Sequence, residues 1–130
     1  MKKLLLAVLL CVPTLSLADM VVIAHPSAAD ISEDEISRLY MGRAGSLMPV
    51  NLPDGNPLRD HFEQELLGRS PAQMKAYWSR LVFTGKGRPP VEVATSAEKI
   101  DFIAANPNSI GYIPASDVTD QVKVIATIAQ

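Results

Sequence analysis

The sequence predicts an α/β fold in which a mostly parallel sheet is flanked by helices. Short apolar runs of strand length alternate with amphipathic helical segments along the chain. Most of the helical segments begin at a residue that caps helices, and two have proline at the first helical position. No internal repeat or low-complexity segment interrupts the alternation. These observations favour one compact domain.

The first elements are two strands separated by a helix. Met20–His25 is a continuous apolar run that is typical of a buried parallel strand. Ser32 and Glu35 then form a capping box for the first helix, and Gly42 ends that helix. The second strand is predicted at Leu47–Leu52.

The centre of the chain, Asn51–Gly68, predicts a strand end, a tight turn and a helix. Asp54 and Gly55 form the turn, because glycine tolerates positive φ and aspartate bonds its own backbone. Asn56 is the expected N-cap, and Pro57 suits the first helical position. The apolar face of this helix consists of Leu58, Phe62 and Leu66, and Gly68 can close the helix in the left-handed conformation.

The next helix begins at a second capping box, formed by Ser70 and Gln73. Its expected inner face consists of Met74, Tyr77, Trp78, Leu81 and Val82. Trp78 could be a stacking platform for a ligand, but its helical spacing among apolar residues favours a place in the core.

Thr84–Pro90 follows as a loop that lacks the spacing of a Walker loop. Its Lys86 and Arg88 could guide an anion, contact a partner or simply be solvated.

Three further elements complete the predicted fold. Thr95 or Ser96 caps a short helix. Ser109–Ile113 reads as a strand in which Gly111 permits close backbone approach. The last strand is predicted at Val122–Ile128.

Met1–Ala18 has the pattern of a cleaved secretory signal peptide. Two lysines precede an apolar run too short for a stable membrane span, and small residues stand before the expected cleavage site. Cys11 lies inside that run, so the expected mature chain, Asp19–Gln130, has no cysteine. We therefore expect a periplasmic protein of one domain that is stabilised by its core rather than by disulfides.

The charge balance restricts the possible partners. Without Lys2 and Lys3 the chain has 10 basic and 14 acidic residues, a net charge of −4. This argues against nucleic acid, which requires a concentrated basic face. An anion would have to be held by directed hydrogen bonds and one or two local cations. No second apolar run is long enough to span a membrane.

The sequence offers little for catalysis. The mature chain has no thiol nucleophile, no G-x-S-x-G elbow and no cluster of metal ligands, so we expect no enzyme, no metal and no cofactor. Its histidines are His25 and His61. His25 ends the first strand, and it is the histidine more suited to line a crevice at the sheet edge, with Ser27 beside it, although a structural role remains the favoured interpretation.

Three segments resemble a known family. The run VVIAHPSAADISEDEISRLYMGR, residues 21–43, looks like the opening of the second lobe of phosphate-binding proteins of bacterial ABC importers. Asp54–Arg59, followed by Phe62, falls where that family has its D-G-S-G-T-R ligand turn. Ser109–Ile113 matches the family's I-G-Y strand. The resemblance implies a single lobe of a type II periplasmic-binding-protein fold, associated with phosphate ABC transport.

The resemblance also implies a site for phosphate or a related oxyanion. The implied ligand-binding residues are Asp54, Gly55, Asn56, Leu58, Arg59, Asn51, His25 and Ser27. The chain departs from the family pattern, because Asn56 and Leu58 replace hydroxyl donors and Pro57 removes an N–H. A single open lobe is therefore expected to bind weakly, at about millimolar concentration.

Two functions remain open from the sequence. The first is a periplasmic solute-binding protein that holds an oxyanion non-covalently at the Asp54–Arg59 turn. The second is an envelope interaction or sensory module, derived from one lobe of such a protein, with little or no solute binding. The implied partners are an oxyanion, an ABC permease or other envelope protein, and a second copy of the chain.

Overall fold

The computed structural model describes residues 19–43 and 45–129. The predicted signal peptide, Met1–Ala18, lies outside these residues. The strands are β1 (Met20–Ala24), β2 (Met48–Asn51), β3 (Val91–Glu92), β4 (Ser109–Pro114) and β5 (Lys123–Ile128). The helices are α1 (Glu33–Tyr40), α2 (Pro57–Phe62), α3 (Pro71–Phe83) and α4 (Ser96–Ala105). A π-helical segment, Glu63–Leu67, extends α2, and a 3-10 turn at Ala115–Asp117 follows β4.

The five strands form one sheet in the order β3-β2-β4-β1-β5. β2 is parallel to β3 and β4, whereas β1 is antiparallel to both β4 and β5. Four strands therefore run in one direction, which confirms the mostly parallel sheet. The expectation that β1 is a parallel strand is wrong. β1 is fully buried, and burial on both faces produces a continuous apolar run whichever way the strand points.

The core has a layer on each face of the sheet. On one face α1 and α2 cover an aromatic cluster of Tyr40, Phe62 and Tyr112. The rings of Phe62 and Tyr112 are stacked with centroids 3.9 Å apart, and Tyr40 meets Phe62 edge-on at 4.7 Å. On the other face α4 places Ile100 and Ile103 against β1 and β4.

The helices begin where their caps predict. The side chain of Ser32 accepts a hydrogen bond from the first turn of α1, and Asn56 does the same for α2. Ser70 and Gln73 form a reciprocal capping box at α3. Thr95, rather than Ser96, caps α4.

The outer end of α3 differs from its expected pattern. Met74 and Trp78 are buried as predicted, but Val82 is 53% exposed and the neighbouring Phe83 is 92% exposed. The loop after α3 leads into β3, a strand that the sequence did not predict. β3 has only two residues, Val91 and Glu92, and both are exposed, so no apolar run marks it.

β2 pairs with β4 only through Met48 and Pro49, and its later residues pair with β3. In β4, beyond the residues that pair with β2, the carbonyl of Tyr112 accepts a hydrogen bond of 3.0 Å from the ammonium of Lys99. Lys99 is fully buried, and burial lowers its pKa to about 7. Gly111 makes room for it, because a Cβ there would lie 2.8 Å from Lys99 Cδ.

Candidate functional site

The turn between β2 and α2 is anchored by tyrosines from the core. Tyr40 donates a 2.8 Å hydrogen bond to the carbonyl of Val50. Tyr112 donates to Oδ1 of Asn51, and the same oxygen accepts 2.9 Å from the N–H of Leu52. Burial raises the pKa of both tyrosines, so both hydroxyls remain protonated. Asn51, predicted as a ligand-binding residue, is buried and its side-chain oxygen serves this anchor.

Arg59 joins the turn to the edge of the sheet. Its Nη1 donates to the carbonyl of Leu52 at 2.9 Å and to Oε1 of Glu92 at 3.0 Å. Its Nε lies 3.4 Å from Oε1 of Glu63, one helical turn along. The side chain is only 12% exposed. Among the described residues the buried Nε has no hydrogen-bond partner, and the other terminal nitrogen, Nη2, forms neither a hydrogen bond nor an ion pair.

Glu63 is a buried counter-ion of Arg59. Its side chain is 2% exposed, and its Oε2 has no hydrogen-bond partner among the described residues. Burial raises the pKa of Glu63, while the nearby Arg59 charge partly opposes that rise. The guanidinium of Arg59 therefore already faces two carboxylates, one buried and one half-exposed.

Beside Arg59 lies an open groove of about 500 Å³. Its charged lining consists of Asp54, Arg59, Lys75 and Glu92, and its apolar lining includes Trp78, Val82, Phe83 and two prolines. Lys75 projects from α3, is exposed, and forms no ion pair with the described residues. The groove thus combines two cations and two carboxylates with an apolar wall.

The start of α2 has few free hydrogen-bond donors. Oδ1 of Asn56 accepts the N–H of Leu58 at 2.9 Å, so these two predicted ligand groups satisfy each other. The N–H of Arg59 has no acceptor among the described residues. Gly55 adopts a φ of +85°, which the tight turn requires.

The structure does not bring His25 and Ser27 to this turn. β1 is antiparallel, so its last residues lie beside the first residues of β4 and β5. The turn instead follows the last residue of β2, at the opposite end of the sheet. Nδ1 of His25 and the hydroxyl of Ser27 are 2.6 Å apart and bond to each other.

Sequence reasoning missed three charged residues near Arg59: Glu63, Lys75 and Glu92. The spacing of four residues from Arg59 to Glu63 on a helix could have indicated that pair. No local signal links Glu92 to Arg59, because 33 residues separate them. Lys86 and Arg88 lie in the loop after α3, and neither lines the groove.

Two further findings concern residues 19–43 and 45–129. No group of three His, Cys, Asp or Glu side chains there could hold a metal ion. No helix within those ranges has the length and apolar character that a membrane span requires.

Comparison with known proteins identifies the fold through solved structures rather than through sequence. No family model matches the chain, and no curated protein is significantly similar to it in sequence. Similar solved structures are an ABC-type phosphate transport receptor from Vibrio cholerae (14% identity, TM-score 0.63) and a phosphate-bound putative phosphate ABC transporter substrate-binding protein from Clostridium perfringens (20%, 0.62). PstS from Borrelia burgdorferi is a third, with 16% identity and a TM-score of 0.61.

These matches cover 84–85% of this chain but only 46–47% of each similar structure. The chain therefore spans about half the length of the phosphate-transport proteins that it resembles. At this level of identity the similarity shows the fold, which is a single lobe of the periplasmic-binding-protein type.

Proposed function

We propose that the chain is a periplasmic solute-binding protein that holds phosphate or a related oxyanion reversibly in the groove beside Arg59, without chemical turnover. The observation that carries the proposal is the position of the Arg59 guanidinium. The guanidinium lines the groove, and its Nη1 donates a hydrogen bond to the Leu52 carbonyl. Its Nη2 is not paired with any described residue. Charge-assisted hydrogen bonds from a guanidinium are among the strongest that a protein offers an oxyanion.

Two other groups of the groove suit the same ligand. The Lys75 ammonium adds a second cation that no described carboxylate neutralises. The Asp54 carboxylate can accept a hydrogen bond from a protonated oxyanion such as hydrogen phosphate, which fully ionised sulfate cannot donate. The solved proteins of the same fold include one with bound phosphate. Because the groove is open on one side, we expect an affinity of about millimolar.

The test is an NMR titration of ¹⁵N-labelled mature chain with phosphate and, at matched ionic strength, with sulfate. We expect phosphate to shift the amide signals of residues 54–59 and Lys75 in a saturable way. Lys75→Gln should weaken binding several-fold, whereas Arg80→Gln, an exposed change on the same helix outside the groove, should not. Absence of saturation at tens of millimolar phosphate would contradict the proposal, whereas equal shifts with sulfate would contradict the acceptor role of Asp54.

We further propose that residues 1–18 direct export and are then removed. Mass spectrometry of the protein recovered by osmotic shock tests this directly. An N-terminus at Asp19 is expected, and retention of the full chain in the cytoplasmic fraction would contradict it.

A second candidate is an interaction module, and one observation favours it. Phe83 is 92% exposed and Val82 53% exposed, and both line the groove; Val91, the residue before Glu92 in β3, is 44% exposed. Exposed apolar residues grouped together are typical of contact surfaces. The partner would be an envelope protein, such as the permease of a phosphate importer, or a second copy of the chain.

Sedimentation velocity and co-purification with the permease distinguish this candidate. If contact is the function, Phe83→Ser should abolish self-association or permease binding, while Lys75→Gln should leave both intact. If Phe83→Ser changes neither, the interaction candidate fails.

A further inference from the structure

The carboxylate of Glu92 occupies Nη1 of Arg59, which an oxyanion requires in addition to Nη2 if it is to bind the guanidinium through two parallel hydrogen bonds. Its Oε1 lies 3.0 Å from Arg59 Nη1, which is the usual distance of a charge-assisted hydrogen bond. A carboxylate and a phosphate present similar oxygen acceptors to a guanidinium. Glu92 and a bound anion would therefore compete for the same cation.

The two counter-ions of Arg59 differ in their freedom to leave. Glu63 is 2% exposed and belongs to the helical segment that follows α2. Glu92 is 50% exposed and belongs to β3, a two-residue strand at the edge of the sheet. Moving Glu92 into solvent breaks one half-exposed ion pair, whereas moving Glu63 would disrupt a packed helix.

Charge balance also indicates that the Glu92 carboxylate must move away from Arg59 before an anion binds there. With both carboxylates ionised, the group formed by Arg59, Glu63 and Glu92 carries one negative charge and repels an anion. With Glu92 turned away, Arg59 and Glu63 are neutral together, and the remaining charged groups of the groove, Lys75 and Asp54, balance each other, so the net repulsion of an anion is removed.

We propose that Glu92 sets the affinity of the groove as an internal competitor: an oxyanion binds Arg59 by displacing the Glu92 carboxylate. This inference rests on the proposed oxyanion binding. Glu92 thus determines affinity without itself contacting the bound anion. The backbone of Glu92 pairs with β2, and its carboxylate pairs with Arg59 of α2. Displacing the carboxylate would therefore break the side-chain link between α2 and the edge of the sheet.

The test compares Glu92→Gln with Glu98→Gln by calorimetric titration with inorganic phosphate. Glu98 is exposed on α4, so its change alters net charge equally without touching the groove. We expect Glu92→Gln to tighten phosphate binding about threefold to tenfold, while Glu98→Gln changes it less than twofold. Phosphate should also shift the ¹³C signal of the Glu92 carboxyl in the natural chain.

The outcomes distinguish the competitor role of Glu92 from the proposed binding of an oxyanion. If the natural chain binds phosphate and Glu92→Gln binds no tighter than Glu98→Gln, the competitor role is wrong and the proposed function survives. If only Glu92→Gln binds, the competitor role is supported and the natural chain is not a phosphate carrier. If no variant binds, both are wrong.

Discussion

The buried ammonium of Lys99 predicts an unusual pH dependence of stability. Burial lowers its pKa in the folded chain to about 7, whereas the unfolded chain keeps the ordinary value of 10.5. Below pH 7 both states hold the proton, and the full cost of burying the charge is present. As pH rises from 7 towards 10.5, only the unfolded state holds it, so the free energy of unfolding should increase.

The size of this increase in the free energy of unfolding follows from the interval between the two pKa values of Lys99. Each pH unit contributes about 1.4 kcal/mol, which sets an upper limit of about 5 kcal/mol. The Tyr112 carbonyl at 3.0 Å and the Tyr112 ring at 4.4 Å both favour the ammonium. We therefore expect about half the limit, roughly 2–3 kcal/mol.

Urea unfolding of the natural chain and Lys99→Met between pH 6 and pH 9.5 measures this contribution. The variant keeps an unbranched apolar side chain over Gly111 and should be the more stable protein at pH 6. Its advantage should shrink as pH rises. Lys86→Met, a change in the exposed loop, serves as the control. A constant difference between Lys99→Met and the natural chain would refute the reasoning.

Three other substitutions test the packing around the site. Gly111→Ala should cost about 1–3 kcal/mol, because its Cβ would lie 2.8 Å from Lys99 Cδ and 3.0 Å from Ile103 Cδ1; a urea midpoint unchanged from the natural chain would contradict this. Tyr112→Phe removes the donor to buried Asn51 and should lower the free energy of unfolding by about 1–3 kcal/mol. Asn56→Ala should cost about 1 kcal/mol through loss of the α2 cap, and Asn56→Asp, which keeps an acceptor, should cost much less.

The sequence predicted the features that depend on neighbouring residues. Helix starts are an example, since the capping residue lies within three positions of the N–H it accepts, as with Ser70 and Gln73. The role of Gly111 as a point of close approach was also predictable, although Lys99 as the approaching group was not.

The features that were missed depend on distant parts of the chain. The orientation of β1 is set by β4 and β5, whose residues pair with it across 86 to 108 positions of the chain. The partner of Arg59 at β3 lies 33 residues away. For the site, the turn and Arg59 were identified, but the carboxylates that already face Arg59 were not, so its availability to an anion could not be judged.

The position of β1 has a consequence for how the protein matures. β1 lies between β4 and β5, two strands that come much later in the chain, with Met20 opposite Pro114 on one side and Ile128 on the other. Such distant pairings are slow to form, and here they join residues as far apart in the chain as Met20 and Ile128. A nascent chain that stops before β5 leaves one edge of the apolar strand β1 unpaired, so β5 must be synthesised before this sheet can be completed.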